Sequence, residues 1–156
     1  MIRSAVISPC GQYRYRLDRR WGDGPTMGFI MLNPSTADAE VDDPTIRRCM
    51  GFALREGYHG IQVVNLFAYR ATDPAHLLTV ADPIGPENDL YVRSLKGPVV
   101  AAWGAHPMAR KGFFGRHLLC LGKTKDGYPR HPLYVHRDAP LIDYSAIDLL
   151  ALFNIM

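Results

Sequence analysis

Three polar clusters in the chain carry side chains suited to chemistry on a small polar ligand. They are Asn33-Pro34-Ser35, Asn65 and His131-Pro132. Asparagine presents a donor and an acceptor side by side, so it can orient a water molecule or pair with an amide-like edge of a base. Histidine can donate a hydrogen bond to an oxyanion and titrates near neutral pH. These residue types predict a site for a planar polar ligand or an anion.

The first cluster ends a short apolar run at residues 27–32. Pro34 biases Asn33 towards an extended backbone. Ser35 and Thr36 can cap the turn that follows and leave backbone amides facing outward, which suits an anion or another polar ligand. The alternative interpretation is an ordinary turn, because Asn-Pro sequences often form turns without any ligand.

The second cluster places an asparagine on an apolar strand, at residues 61–66. The buried amide of Asn65 must be satisfied either by neighbouring backbone or by a ligand. Phe67 and Tyr69 follow and can supply a flat face for a base to stack on, although aromatic residues after a strand often serve only packing.

The third cluster lies in a proline-stiffened loop at residues 127–134, and a stiff loop loses less entropy when it grips a ligand. His131 can donate to an oxyanion. Leu133 and Tyr134 are apolar groups on a predicted surface loop, which suits insertion into a stack of bases. A hydrogen-bonded surface histidine in a rigid turn is the alternative.

Carboxylates also crowd the first cluster. Helix capping accounts for Asp42 and Asp43, so Asp38 is the predicted general base. The chain contains no GxGxxG, Walker, HExxH or GxSxG motif, so dinucleotide, nucleoside-triphosphate, zincin and serine-hydrolase functions have no support.

Alternating strand and helix patterns predict an α/β fold with a mostly parallel, four-stranded central sheet flanked by helices. The strands are predicted at 27–32, 61–66, 98–103 and 117–121, and the helices at 42–58, 86–95, 108–117 and 145–153. Ligands of such sheets bind beyond the carboxyl ends of the strands. The three polar clusters are therefore expected to meet at one edge.

An antiparallel hairpin is predicted before this sheet, at residues 4–8 and 12–17. Tyr13 and Tyr15 alternate with Arg14 and Arg16 there, a pattern typical of a hairpin with one solvent-exposed face. The chain is expected to form a single domain, 1–156, with residues 1–25 as a hairpin extension.

Bulk composition indicates an ordinary globular protein. The chain has 156 residues, is 47% hydrophobic and 21% charged, and carries a net charge of +3. Three widely spaced cysteines form no CxxC pair, so disulfides, metal sites and iron–sulfur clusters are not expected, and no cofactor is predicted. Without a signal-peptide pattern or a long apolar segment, a cytoplasmic location with no membrane partner is expected.

Segments along nearly the whole chain are similar to a family of small bacterial and phage proteins known only as a domain of unknown function. These segments read RYRLDRRW, FIMLNPSTAD, DDPTIRRC, VVNLFAYRATDP, AAWG and LGKTKDGYPRHPLYV. The family brings no function with it.

A more distant resemblance is to the uracil-DNA glycosylase superfamily. That superfamily has a GINPG- or GQDPY-type motif after its first strand, a buried strand ending in Asn, and a late HPSP-type loop. This chain has LNPS, VVN and HPLY in the same order. The resemblance implies a catalytic set and two contact sets. The catalytic set is Asn33, Asp38 and His131; Pro34, Ser35, Asn65, Phe67 and Tyr69 contact the base; and Arg130, Pro132, Leu133 and Tyr134 contact DNA.

The implied function is a DNA glycosylase for a damaged or modified base, with DNA as its partner and no obligate protein partner. Uracil and a hypermodified phage base are both candidate targets. Two alternatives remain open. Met31 and Ser35 stand where the superfamily motif has glycine, which favours a module that binds a nucleotide or modified base without cleaving it. The modest charge favours a hydrolase of small N-glycosides.

Overall fold

The computed structural model of the protein describes residues 1–110 and 116–144. The described residues confirm an α/β fold, in which helices pack against one mixed sheet of order β1-β2-β4-β3-β5-β6-β7. The strands are β1 (Ile2–Ile7), β2 (Arg14–Arg20), β3 (Met27–Met31), β4 (Gly60–Asn65), β5 (Val99–Ala101), β6 (Leu119–Cys120) and β7 (Ile142–Asp143). The helices are α1 (Pro44–Arg55) and α2 (Asn88–Arg93), with short 3-10 turns at Pro74–Thr79 and Pro132–Tyr134.

The sheet is larger and less parallel than the sequence predicts. Strands β4, β3, β5 and β6 run parallel to one another, whereas β1–β2, β2–β4 and β6–β7 pair antiparallel. The prediction of a mostly parallel sheet of four strands was wrong because the hairpin strand β2 joins β4 directly and β7 returns beside β6. The carboxyl ends of the four parallel strands nevertheless share one edge, where ligands of such sheets bind.

The hairpin has the predicted exposed face only in part, because Arg16, Asp18 and Arg20 are half-buried and Arg14 is buried. Arg14 and Tyr15 are both buried, on opposite faces of β2. The Tyr15 ring stacks on Tyr91 of α2, with centroids 5.2 Å apart. On the other face, Arg14 Nη1 donates to the Ala37 carbonyl at 2.8 Å. Since β2 lies between β1 and β4 with chain packed over both faces, its alternating polar residues cannot all reach water.

Two apolar layers explain the continuously hydrophobic strands. Phe29 and Val63 pack into a cluster beneath α1, whereas Ile30 and Val64 pack into a second cluster with Val92 of α2. Successive side chains of a strand point to opposite faces, so a strand covered on both faces needs apolar residues at every position. The sequence prediction for β3 and β4 is confirmed to within one residue at each end.

Helix α1 begins and ends where its sequence predicts. Asp43 Oδ1 accepts a hydrogen bond from the Ile46 amide at 2.9 Å, and Pro44 occupies the first helical position. After the helix, Gly57 has φ +83°, a left-handed conformation that glycine adopts without strain. The buried stripe consists of Ile46, Cys49, Phe52 and Ala53. This geometry aims the helix N-terminus at the sheet edge.

Other predicted elements differ or lie outside the described residues. Helix α2 is shorter than the predicted 86–95, and β6 shorter than 117–121. Of the helix predicted at 108–117, the described ends, 108–110 and 116–117, are not helical. The helix predicted at 145–153 falls outside the described residues. Within the described ranges, no helix combines the length and apolar character needed to span a bilayer.

A buried arginine fixes the loop between β3 and α1. Arg19 is fully buried, and its Nε lies 2.7 Å from Asp42 Oδ1. Arg19 Nη2 also donates to the carbonyls of Asp38 and Val41. Arg3 holds the second oxygen of Asp42 at 3.0 Å. The loop is therefore anchored to β1 and β2 just before the residue that caps α1.

We expect Asp42→Ala to lower the free energy of unfolding by about 3–5 kcal/mol, because it leaves the buried Arg19 guanidinium without its counterion. Urea denaturation at neutral pH measures this loss. The control is Asp89→Ala, which removes an exposed partner of Arg93 and should change stability by less than about 1 kcal/mol. Equal losses in the two variants would contradict an anchoring role for Arg19 and Asp42.

Candidate functional site

A cleft of about 610 Å³ lies at the shared edge of the parallel strands. Its walls come from the chain after β3, the end of β4, the chain after β5, the start of α1 and the loop after β6. Of the site residues predicted from the sequence, the lining includes Asn33, Ser35, Asn65, Arg130, His131, Leu133 and Tyr134. The three clusters, up to about a hundred residues apart in the chain, therefore meet at the carboxyl ends of the parallel strands, as predicted.

Asp38, the predicted general base, is not among the lining residues. Its Oδ1 accepts hydrogen bonds from the amides of Glu40 and Val41, at 2.9 and 2.8 Å. These bonds lower the pKa of the Asp38 carboxyl group. The carboxylate organises its own loop, so its position does not match that of a base acting in the cleft.

The two aromatic residues predicted to stack on a base also lie elsewhere. Phe67 lines a neighbouring cavity of about 860 Å³. Tyr69 packs edge-on against Tyr13, with ring centroids 6.0 Å apart. Trp103 and Tyr134 are aromatic residues that line the cleft.

Asn65, which lines both the cleft and the neighbouring cavity, has an unpaired side-chain amide. Its side chain is completely buried, and neither Nδ2 nor Oδ1 has a hydrogen-bond partner in the protein. The backbone beside it is secured, because Asn88 Nδ2 donates to the Asn65 carbonyl at 2.8 Å. Buried polar groups in folded proteins are almost always paired. A rigid, buried donor and acceptor at the cleft wall therefore point to pairing with a ligand.

Asn33 is held in one orientation. Its Nδ2 donates to the carbonyls of Ala71, at 2.7 Å, and Pro34, at 3.1 Å. Pro34 is buried and does not line the cleft; its carbonyl accepts one of these two hydrogen bonds. Since the amide nitrogen is committed to the backbone, Oδ1 is the group left to act as an acceptor, for example towards a water molecule.

The hydrogen bonds of His131 define its tautomer. Its Nδ1 accepts from the Leu133 amide at 3.1 Å, so the neutral ring carries its proton on Nε2. Burial lowers the pKa of His131, and the negative charge of Asp43 opposes that shift in part. At neutral pH the imidazole is therefore an uncharged donor with a fixed proton.

Helix α1 holds the late loop in place. Arg48 Nε donates to the Pro132 carbonyl at 3.1 Å, and its Nη2 donates to the Val135 carbonyl. Pro132 is buried and does not line the cleft. Leu133 and Tyr134 project at the rim, 40% and 78% exposed.

The structure adds two charged residues to the cleft that sequence reasoning missed. Asp43 lines it beside His131, and only its Oδ1 is committed to capping α1. Arg14 lines it from β2, is 2% exposed, and has no hydrogen-bond partner at Nε. The cap pattern of the sequence placed Asp43 correctly but gave no signal that it faces a cleft. The alternation in the hairpin suggested that Arg14 was solvated.

The cleft can therefore present an amide edge, a neutral imidazole donor, an amide acceptor, a carboxylate and a guanidinium to one ligand. Within residues 1–110 and 116–144, no three His, Cys, Asp or Glu side chains converge as metal ligands would.

Comparison with known proteins gives one result. A family model described as "Protein of unknown function (DUF1643)" matches residues 14–133. That span begins at Arg14 and contains every site residue named above except Tyr134. Neither the curated proteins nor the solved structures give a significant match, so the resemblance to the uracil-DNA glycosylase superfamily stays a prediction. The chain belongs to the DUF1643 family of proteins of unknown function.

Proposed function

We propose that the protein is a DNA glycosylase that hydrolyses the N-glycosidic bond of a damaged or modified base. The observation that carries the proposal is the buried, unpaired amide of Asn65 in a cleft shared with Asn33 and His131. A base in a duplex is inaccessible, so the nucleotide would be flipped into the cleft. The four parallel middle strands, with the cleft at their carboxyl ends, support a glycosylase-like arrangement of the site.

Recognition in this mechanism depends on Asn65. A base edge with an adjacent donor and acceptor pairs with both ends of the amide, and a mismatched edge leaves buried groups unpaired. Trp103, which lines the cleft and is almost fully buried, supplies an apolar wall for the ring of the base in place of Phe67 or Tyr69.

The leaving group is stabilised by His131. When the C1′–N bond breaks, its electron pair departs with the base, which becomes an anion. A neutral Nε2–H donor in a partly buried site stabilises that charge without first requiring a proton transfer. Fixing Nδ1 on the Leu133 amide orients this donor before the substrate arrives.

The nucleophile is a water molecule held by Asn33. Its Oδ1 accepts a hydrogen bond from the water and directs the water oxygen at C1′, where the new bond forms. The proton that the water loses passes to Asp43, the carboxylate among the cleft-lining residues of the described chain. The negative charge of Asp43 also stabilises the positive charge that develops on the sugar. Asp43 thus takes the role that the sequence assigned to Asp38.

DNA would be engaged by the late loop. Leu133 and Tyr134 are exposed apolar groups at the cleft rim, as a wedge that fills the gap left by a flipped nucleotide must be. Arg130 is exposed beside them and is suited to a phosphate.

Incubation with DNAs that carry a panel of modified bases, followed by alkaline cleavage, tests the proposal directly. We expect strand breaks at one class of base in duplex or single-stranded DNA. The complete absence of abasic sites across a panel that includes uracil, oxidised and hypermodified bases would refute glycosylase activity.

We expect Asn33→Ala to reduce abasic-site formation by roughly 100-fold or more, with binding of the same DNA changed little, because the variant loses the water-holding acceptor. Single-turnover rates and a binding titration on one oligonucleotide measure the two effects. The control is Asp38→Asn, an amide replacement outside the cleft, which should retain the wild-type rate. Equal loss of binding and rate in Asn33→Ala would indicate a folding role instead.

A module that binds a base without cleaving it is the second candidate. The observation that favours it is Met31, a cleft-lining side chain at a position where the superfamily motif has glycine. A side chain in place of glycine prevents the close approach of the backbone to the substrate. Such a module would bind modified-base DNA with strong salt dependence but would leave it intact. A small-glycoside hydrolase would instead release base from free nucleosides, with little dependence on salt.

A further inference from the structure

Arg14 is buried at the cleft with part of its guanidinium unsatisfied. Its side chain is 2% exposed and Nη1 donates to the Ala37 carbonyl at 2.8 Å, yet Nε has no hydrogen-bond partner. The residue lines the same cleft as Asn65 and Asp43. Two buried side chains of one cleft therefore carry unpaired polar atoms.

A buried guanidinium with an open donor is energetically unfavourable. Burial lowers the pKa of Arg14 to about 10, while the charge of Asp43 opposes the shift, so the group is still cationic at neutral pH. No ion pair joins Arg14 to a carboxylate within the described residues. Retaining a charge at this position without a counterion in contact needs a reason other than stability.

The chemistry of the missing partner follows from the donor. A guanidinium only donates hydrogen bonds, so the group it receives must be an acceptor, and a negatively charged oxygen is the strongest one. Asn65 differs because it presents both a donor and an acceptor. The two side chains therefore select different parts of one ligand.

We propose that Arg14 is a specificity-determining residue that binds an oxygen acceptor, a carboxylate or phosphate oxygen, on the ligand whose base edge pairs with Asn65. This inference rests on the proposed function and adds to it a second recognition element. The oxygen comes either from an oxidised substituent on the base or from a phosphate of the nucleotide.

A structural role and a ligand-binding role for Arg14 predict opposite effects of its replacement on the stability of the protein. If the bond to the Ala37 carbonyl were its purpose, Arg14→Met would destabilise the protein. If Arg14 is kept for a ligand, replacing it with an apolar side chain of similar length removes a buried, incompletely paired charge. The thermal midpoint of Arg14→Met should then equal or exceed that of the wild type.

Titration of the full chain with uracil, 5-carboxyuracil and inorganic phosphate tests the proposal by calorimetry or NMR. We expect the wild type to bind 5-carboxyuracil roughly tenfold or more tightly than uracil if the oxygen belongs to the base. Phosphate should bind, and depend on Arg14, if the oxygen belongs to the nucleotide. In Arg14→Met the preference for 5-carboxyuracil over uracil should shrink to about twofold or less, with uracil binding unchanged.

The control is Arg16→Met, on the same strand. Arg16 pairs with Asp18 at 3.0 Å and does not line the cleft, so this variant should keep the wild-type preferences. Arg14→Lys provides a second variant in case Arg14→Met does not fold: it keeps the charge, lacks Nε, and should lose most of the preference.

Three results would overturn the proposal. The first is a wild type that binds 5-carboxyuracil no more tightly than uracil and does not bind phosphate. The second is a preference or a phosphate affinity that survives in Arg14→Met and Arg14→Lys, and the third is a lower thermal midpoint for Arg14→Met with loss of all three ligands. The failure of glycosylase activity is a separate result, because it would show as intact DNA in the base panel while the preference among these small probes persisted.

Discussion

Asn65→Leu is expected to make the protein more stable and to abolish its discrimination between base edges. The asparagine amide is completely buried, and both of its polar atoms lack a partner in the protein. Leaving a buried polar group unpaired costs about 1–3 kcal/mol, and leucine has nearly the same shape without polar atoms. We therefore expect the free energy of unfolding to rise by an amount in that range, measured by urea denaturation.

The same substitution should lower discrimination, the ratio of rates or of affinities for a matched over a mismatched base, by roughly 10- to 100-fold. The reason is that a bidentate contact to the base edge disappears while the rest of the cleft is unchanged. Single-turnover excision, or binding where the protein only binds, provides the measurement. A gain in stability together with a loss of discrimination is typical of a group retained for a ligand.

Asn88→Leu is the matched control, because Asn88 is equally buried and its Oδ1 is also unpaired, but its Nδ2 has a structural task. Its Nδ2 donates to the carbonyls of Asn65 and Leu66, at 2.8 and 3.3 Å. The variant should lose about 1–3 kcal/mol of stability, since it leaves these carbonyls without their donor. If Asn65→Leu were destabilised as much as Asn88→Leu, Asn65 would be a structural residue and the proposed recognition mechanism would fail.

The meeting of Asn33, Asn65 and His131 was predictable from the sequence. Two of these residues follow continuously apolar runs, which indicate strands covered on both faces, and parallel strands bring their carboxyl ends to one edge. The proline-rich loop after the last parallel strand had to return to the same edge. Strand positions and the cap of α1 were likewise local signals, because each depends on residues within a few positions of one another.

The environments of Arg14 and Phe67 depend on distant chain and could not be predicted in this way. Arg14 is buried because β2 pairs with β4, some forty residues later, and because the loop at Ala37 closes over it. Strand alternation would place Phe67 on the same face as Asn65. However, the amides of Leu66 and Phe67 donate to the carbonyls of Met31 and Leu32. Because two successive amides are directed towards the same neighbouring strand, the alternation is interrupted and Phe67 lines the neighbouring cavity instead.

The choice between Asp38 and Asp43 shows the same limit. Both are acidic residues near a loop and a helix start, and each uses Oδ1 to accept backbone amides. They differ in where the loop sends them. The ion pair between Arg19 and Asp42 holds the loop against the sheet. Asp43, which follows directly, faces the cleft, whereas Asp38, four residues before Asp42, does not line it.

His131→Ala is expected to slow base excision by roughly 100- to 1000-fold, the usual consequence of removing a hydrogen-bond donor to a developing anion. Affinity for the DNA should change much less, because the ring acts on charge that appears only in the transition state. Single-turnover kinetics with excess protein separate the two quantities. A variant with an unchanged rate would show that the leaving base is stabilised by another group.

The pH dependence follows from the hydrogen bond at Nδ1. The neutral ring accepts from the Leu133 amide there, and protonation of Nδ1 would turn the acceptor into a donor facing that N–H. Acid therefore releases the ring from its position, and activity should fall as pH drops through the pKa of His131. Since burial lowers this pKa from its ordinary value, the fall should begin below the pH at which a free histidine titrates.

Asp43→Asn should lower the excision rate, because Asp43 receives the proton of the water, and the pH profile of the remaining activity tests whether the acidic limb belongs to His131. The charge of Asp43 raises the pKa of His131, so its removal should lower the pKa and move the acidic limb to lower pH. Asparagine is itself a good helix cap, which keeps α1 in place. NMR titration of the His131 ring gives the same shift in the free protein, without any substrate. Asp38→Asn, outside the cleft, should leave the limb where it is; equal shifts in the two variants would mean that Asp43 acts only through net charge.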